Sequence, residues 1–220
     1  MKTYKGIIFD LDGTLLNTLQ DLYLCTNQVL KYYHCPEKSM DEVRSYLGNG
    51  IKALLEKALP EQQKHLLDAV YDQFLLLYEK HKADHTKPYP HILSLLNTLK
   101  QKKMKMAIVS NKIDSAVKEL CIPLFGEYLS VMLGETPTRL KKPNPDMVYE
   151  ALKQLQVDKD QALFVGDSET DVLTAKNAIM RVCGVSWGFR GKDVLKQLNV
   201  DFLIDEPMEL LNIIEKENQK

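Results

Sequence analysis

Short apolar runs punctuate the chain at GIIFD (6–10), MAIVS (106–110), ALFVG (162–166), RVCGV (181–185) and DFLID (201–205). Each is rich in Ile, Val, Leu or Phe and ends near glycine or a polar residue, the pattern of strands buried on both faces. Between the later runs, apolar positions recur at helical spacing. NPDMVYEALKQL has Asn144 as a plausible N-cap and Pro145 in its first turn; DVLTAKNAI and KDVLKQL fill the next gaps, and PMELLNIIEKE closes the chain. Strand alternating with helix predicts an α/β core, a parallel sheet covered by helices.

Residues 18 to about 85 interrupt that alternation. TLQDLYLCTNQVLKYY, SMDEVRSYL, GIKALLEKAL and EQQKHLLDAVYDQFLLLYEKH all have the spacing of helices. Ser39 and Glu42 form a capping-box pair for the second, and Leu66, Val70, Phe74, Leu77 and Tyr78 line one face of the fourth. The polar, proline-containing KADHTKPYP (82–90) is the natural return linker. Two domains are therefore expected: a core from residues 1–16 and 88–220, and a helical cap from 17–87.

Ligands of parallel open sheets bind at the carboxyl ends of strands. GIIF is followed by Asp10, Leu11, Asp12, Gly13 and Thr14; MAIV by Ser110, Asn111 and Lys112; ALFV by Gly166, Asp167 and Ser168, with Asp171 shortly after. Lys142 and Pro143 precede a predicted helix. Each cluster alone has an ordinary explanation as turn or cap chemistry; four in chain order at strand ends and a helix start do not. Three carboxylates in one pocket require a cation, and hard oxygen ligands of this kind select Mg²⁺, which readily bridges to phosphate. Lys142 adds positive charge, and Ser110 with backbone N–H groups can bond phosphate oxygens. One carboxylate of the pair can then attack phosphorus to form an aspartyl-phosphate that water hydrolyses. The other can protonate the departing alkoxide and activate the water.

Composition narrows the partners. Among 220 residues, 29 Lys and Arg nearly balance 30 Asp and Glu, for a formal charge of −1. That balance gives no pull toward nucleic acid or an anionic membrane, and no apolar run approaches the roughly 18 residues of a membrane span. The basic KQKKMK (100–105) fits a solvated turn better than a phosphate patch. MKTYKGIIFD lacks the pattern of a signal peptide. Cys25, Cys35, Cys121 and Cys183 show no C-x-x-C spacing, so they are expected as buried fillers in a reducing cytoplasm. His81 and His85 have i, i+4 spacing but sit in polar EKHKADHTK, which favours surface residues over a metal pair.

These residues carry a resemblance. FDLDGTLLNT, VSNK, KKPNPD and GDSETD resemble, in order, the four motifs of the haloacid dehalogenase-like phosphohydrolases. RSYLGNGIKALLEKAL, PYPHILSLLNTLK and GVSWGFRGKDVL are similar to the phosphoglycolate-phosphatase-like branch. The resemblance implies a Rossmann-like (HAD-like) core with an α-helical cap inserted after the first motif, and a Mg²⁺-dependent phosphatase of a small phosphorylated metabolite. It implies Asp10 as nucleophile and metal ligand, Asp12 as general acid/base with its backbone carbonyl on the metal, and Asp167 as third ligand. Ser110, Asn111 and Lys142 are implied as phosphate contacts, with Gly13 and Thr14 beside the substrate. Asp171 is implied to fix metal-bound water or Lys142, with Ser168 next to it. Gly48, Asn49 and Gly50 form the candidate cap loop facing the phosphate, a role weighed nearly equally with a plain helix–helix turn. Phosphomutase and pyrophosphatase chemistry of the same superfamily stay open, as, more remotely, does a phospho-accepting regulatory domain. The expected assembly is a monomer or homodimer. The chain departs from the family at Asn17, where Asp is frequent, and at His91 and Ile179, where Gly is usual. Trp187 and Phe189 are expected to pack beneath the loop after the fourth apolar run.

Overall fold

A computed structural model describes residues 3–219. In chain order, β1 (Gly6–Phe9) and β2 (Leu16–Asn17) lead into α1 (Leu19–Tyr32), α2 (Met40–Tyr46) and α3 (Ile51–Ala58). A 3₁₀ segment at Glu61–Leu66 precedes α4 (Leu67–His81), and β3 (Lys87–Pro88) carries the chain to α5 (Ile92–Gln101) and β4 (Lys105–Ile113). Then follow α6 (Asp114–Phe125), β5 (Val131–Glu135), α7 (Asp146–Leu155), β6 (Ala162–Gly166) and α8 (Glu169–Asn177). β7 (Arg181–Val185), α9 (Gly191–Gln197), β8 (Phe202–Ile204) and α10 (Glu209–Asn218) complete it. The contacts divide the chain into two units, one from the segments ending at Leu15 and starting at Pro88, the other spanning Leu16–Lys87.

In the first unit a six-stranded sheet runs β5-β4-β1-β6-β7-β8 with every pairing parallel. β1 lies in the middle: Ile8 pairs with Ala107 on one side and Phe164 on the other. The chain fills the sheet outward from β1 first through β4 and β5, then through β6, β7 and β8. The order reverses at β1, where open α/β sheets place their ligands. Ile8, Ala107, Val109, Phe164 and Val182 pack on one face against Met147, Val148, Ala151, Leu152, Val172, Ala175 and Leu195 of α7, α8 and α9. Ile7, Phe9, Ile108, Leu163 and Val165 alternate with them and are equally buried. Two covered faces explain why the strands read as unbroken apolar runs.

β5, with the sequence VMLGE, has no counterpart among the five apolar runs of the sequence; only three apolar residues precede its glycine. α7 starts one residue later than its proline suggests. Asn144 accepts the Asp146 N–H at 2.9 Å, and Pro145 occupies the cap position itself.

The second unit is helical. Leu22, Val29 and Leu30 of α1, Leu54 and Leu55 of α3, and Val70, Phe74 and Tyr78 of α4 are buried in it. The Phe74 and Tyr78 rings stack at 5.4 Å. The Ser39–Glu42 capping box forms at α2. The buried carboxylate of Asp21 accepts the N–H groups of His85 (2.9 Å) and Thr86 (2.8 Å), pinning the return segment to α1. His81 pairs with Asp84 at the surface. All four cysteines are free and buried, and burial pushes the Cys25 and Cys121 thiols up to about 12, which keeps them unreactive. Among the described residues, no helix is long and apolar enough to cross a membrane.

Candidate active site

The site grows from the ends of β1, β4 and β6, three adjacent strands. β1 stops at Phe9, and the N–H of buried Asp10 still reaches the Val165 carbonyl of β6 at 2.9 Å. The chain then turns, with Thr14 and Leu15 N–H groups both donating to the Leu11 carbonyl. Gly13 makes the turn possible. Its φ is +90°, and a Cβ there would stand 2.5 Å from Asp167 Oδ2. The Thr14 hydroxyl is buried and has no hydrogen-bond partner among the described residues.

β4 contributes Ser110, Asn111 and Lys112, all buried. Its register against β5 slips between Val109 and Ile113, so strict alternation fails where the site begins. Asn111 spends its side chain on the neighbouring loop: its amide donates to the Lys142 carbonyl (2.9 Å) and accepts the Lys142 N–H (2.7 Å). That clamp sets the start of the Lys142–Pro143 segment, whose peptide bond is cis. Lys142 Nζ donates to Asp10 Oδ1 at 2.5 Å and to Asp171 Oδ1 at 2.7 Å. The second Asp171 oxygen accepts the N–H groups of Asp167 and Ser168 and the Ser168 hydroxyl (2.6 Å). Asp171 thus fastens the helix start and the lysine at once.

These residues lie within one recognised pattern. The profile of the haloacid dehalogenase-like hydrolase family matches residues 7–185. The chain belongs to that family. A phosphoglycolate phosphatase of Aquifex aeolicus is 32% identical over 216 residues, covering 96% of this chain and 97% of its own. A crystal structure from Lactobacillus delbrueckii subsp. bulgaricus superposes with a TM-score of 0.90 at 31% identity, covering 96% of this chain and 98% of that one. A predicted phosphoglycolate phosphatase from Haemophilus somnus 129pt gives a TM-score of 0.87 at 30% identity, with coverages of 97% and 99%. Hydrolysis of a phosphoric monoester is the reaction class this chain shares with such relatives.

In this haloacid dehalogenase-like hydrolase, the carboxylates of Asp10, Asp167 and Asp171 each bring an oxygen within 4.8 Å of the others. Burial raises the Asp10 carboxyl to about 7; Asp171 and Asp12 add to the shift, and Lys142 opposes it. Burial, then Asp171 and Asp10, push Asp167 well above the usual carboxylate range. Burial alone would lower the Lys142 amine, but Asp10 and Asp171 hold it firmly protonated. One ammonium against three carboxylates leaves negative charge uncompensated, and the donors are all hard oxygens. This set fits Mg²⁺.

The expected site residues of the core, Asp10, Asp12, Gly13, Thr14, Ser110, Asn111, Lys142, Asp167, Ser168 and Asp171, all belong to the first unit, around these three strand ends. Asp12 differs from its neighbours in one respect: its carboxylate is engaged by Lys112. Gly48, Asn49 and Gly50 belong to the second unit. There Gly48 (φ 108°) and Gly50 (φ 85°) shape the turn between α2 and α3, and Gly50 is the N-cap of α3. Asn17 accepts the Leu19 N–H at 3.3 Å at the start of α1, a bond an aspartate would also make.

Sequence reading missed the loop after β7. The Trp187 indole donates to the Thr14 carbonyl at 3.0 Å, and the Phe189 N–H donates to Asp167 Oδ2 at 2.5 Å. A Cβ at Gly188 would collide with Asp167 and the Gly13 carbonyl. The signal was available, because this loop also leaves the carboxyl end of a strand. It contains no carboxylate or amine near its start, so it did not stand out as chemistry.

Proposed function

We propose that the protein is a Mg²⁺-dependent phosphatase of a small phosphorylated metabolite, with 2-phosphoglycolate the first candidate, acting through an aspartyl-phosphate on Asp10. The observation carrying this is the convergence of Asp10 and Asp167, at the ends of neighbouring β1 and β6, with Asp171 of α8 and with Lys142 from the segment before α7. The names of the full-length relatives favour the substrate.

In this reading an Asp10 oxygen attacks phosphorus opposite the ester oxygen, that P–O bond breaks, and Asp12 gives its proton to the departing alkoxide. Water then attacks the aspartyl-phosphate, Asp12 takes its proton, and inorganic phosphate leaves with Asp10 restored. Lys142, the Ser110 hydroxyl and the otherwise unpartnered Thr14 hydroxyl hold phosphoryl oxygens and offset their charge. Asp10, Asp167 and the Asp12 carbonyl would hold Mg²⁺, whose positive charge would keep Asp10 ionised beside an anionic substrate.

Phosphate release across a panel of small phosphate esters, with Mg²⁺ or with EDTA, tests this for wild type and Asp10→Asn. Turnover only by wild type with Mg²⁺, and phosphate on the Asp10 peptide after acid quench, is expected. Release that survives Asp10→Asn, or no release from any ester, rejects it.

A further inference from the structure

We infer that Lys112 is the positioning residue for Asp12, fixing the carboxylate that serves the leaving group. The inference rests on the phosphatase reading above. Lys112 stands two residues beyond Ser110 at the end of β4, and its side chain is only 3% exposed. Its Nζ reaches Asp12 Oδ1 at 2.9 Å and Oδ2 at 3.2 Å. Burying an ammonium costs several kcal/mol unless a partner offsets it, and the Asp12 carboxylate supplies such a partner here.

The site contains two buried lysines with divided duties. Lys142 serves Asp10 and Asp171, whereas Lys112 serves Asp12. Asp12 has the more open carboxylate of the pair, at 21% side-chain exposure against 9% for Asp10. A carboxylate that open has room to turn toward solvent. Lys112 removes that freedom by holding both oxygens from the β4 side. A misplacement of about 1 Å in a reacting group is worth on the order of 10²-fold in rate, so the contact bears on proton delivery even though Lys112 touches no reacting atom.

The test compares two esters in Lys112→Met, Lys112→Arg and wild type, using kcat/KM, which ends at release of the alcohol and excludes the later water step. A simple alkyl phosphate needs Asp12 to protonate its leaving group; 4-nitrophenyl phosphate leaves without help. Lys112→Met is expected to lose about 10²-fold on the alkyl ester but less than about tenfold on the aryl ester. Lys112→Arg should recover most of the alkyl rate. In an Asp12→Asn background, Lys112→Met should change the alkyl rate by less than about threefold, because the partner it acts through is gone. Equal losses on both esters, or a full further loss in the Asp12→Asn background, overturn the inference and leave the phosphatase reading standing. If wild type releases phosphate from neither ester nor any other of the panel above, the phosphatase reading falls and this inference with it; if it turns over another alkyl ester of that panel, that ester replaces the simple alkyl phosphate in the comparison. Should Lys112→Met fold poorly, Lys112→Gln in the same two backgrounds decides the question.

Discussion

Ile179 sits where the chain can least accommodate it. After α8 the Ile179 N–H donates to the Lys176 carbonyl (3.0 Å) and the Met180 N–H to the Ala175 carbonyl (2.9 Å), the paired bonds of a helix end closed by a left-handed residue. Its φ is 56°, and the residue is 71% exposed. Burial therefore contributes little, while the Cβ of a left-handed residue costs about 1–2 kcal/mol and a β-branched one fares worst. Two variants separate the effects: Ile179→Ala removes the side chain but keeps the Cβ, and Ile179→Gly removes both. At an exposed right-handed helix position glycine is less stable than alanine by about 0.5–1 kcal/mol. Here the order should invert, with glycine ahead by roughly 0.5–1 kcal/mol after the greater freedom of its unfolded chain is subtracted. For a protein of this size that is a melting-temperature gap of about 1–4 °C. Urea unfolding of both variants at equal m-value measures it. Alanine equal to or above glycine would refute the argument.

His91 repeats the situation at the start of α5, with φ 64° on an exposed residue, and His91→Gly should also stabilise, by up to about 1 kcal/mol in urea unfolding. Burial first, then Asp171, lift the Asp10 carboxyl from 3.8 to about 7; between these values the folded protein binds a proton the unfolded chain has released. Stability without metal should therefore fall as pH rises from about 4 to about 7, and Asp10→Asn should flatten part of that slope in melts with EDTA; an unchanged slope contradicts it. Gly13→Ala should abolish phosphate release and lower stability by at least about 1–2 kcal/mol, because its Cβ meets Asp167 at φ +90°. Lys142→Met should cut kcat/KM by at least about 10²-fold and destabilise the protein more at pH 7 than at pH 5, where Asp10 takes a proton instead.

What was legible in the sequence was whatever repeats or carries charge. Strands covered on both faces read directly as GIIF, ALFVG and RVCGV, and the clusters of the candidate site declared themselves by following such runs. The helix ends were much harder to see. His34, Lys103, Gln156, Ile179 and Asn199 all take positive φ where glycine is the usual stop signal, and the backbone bonds that hold them there involve no side chain. β5 was hidden because an edge strand needs few apolar residues. Lys112 lies two places past Ser110 in VSNK, on the same side of the strand by its period of two, but its partner Asp12 is 100 residues away, a pairing that only the fold reveals. The family's preference for glycine at positions 91 and 179 was visible as a pattern; the reason, two left-handed residues, needed the backbone.

The paired aspartates behind β1 look equivalent in sequence, and their partners make them different. Asp10 lies among Asp167, Asp171 and the Lys142 ammonium; its burial and the Asp171 carboxylate favour the neutral form, which Lys142 only partly opposes. Under the proposed reaction that is a useful coupling: the nucleophile acquires its charge together with the ion that orders the substrate. Asp12 faces a lysine of its own and keeps more solvent access, as a group must if it is to pass a proton out and take one back. Had one lysine served both carboxylates, any motion of the proton carrier would have been felt by the nucleophile through a shared ammonium. Under the proposed reaction, two buried lysines on separate segments would let Asp12 change protonation while Asp10 stays bonded to Lys142.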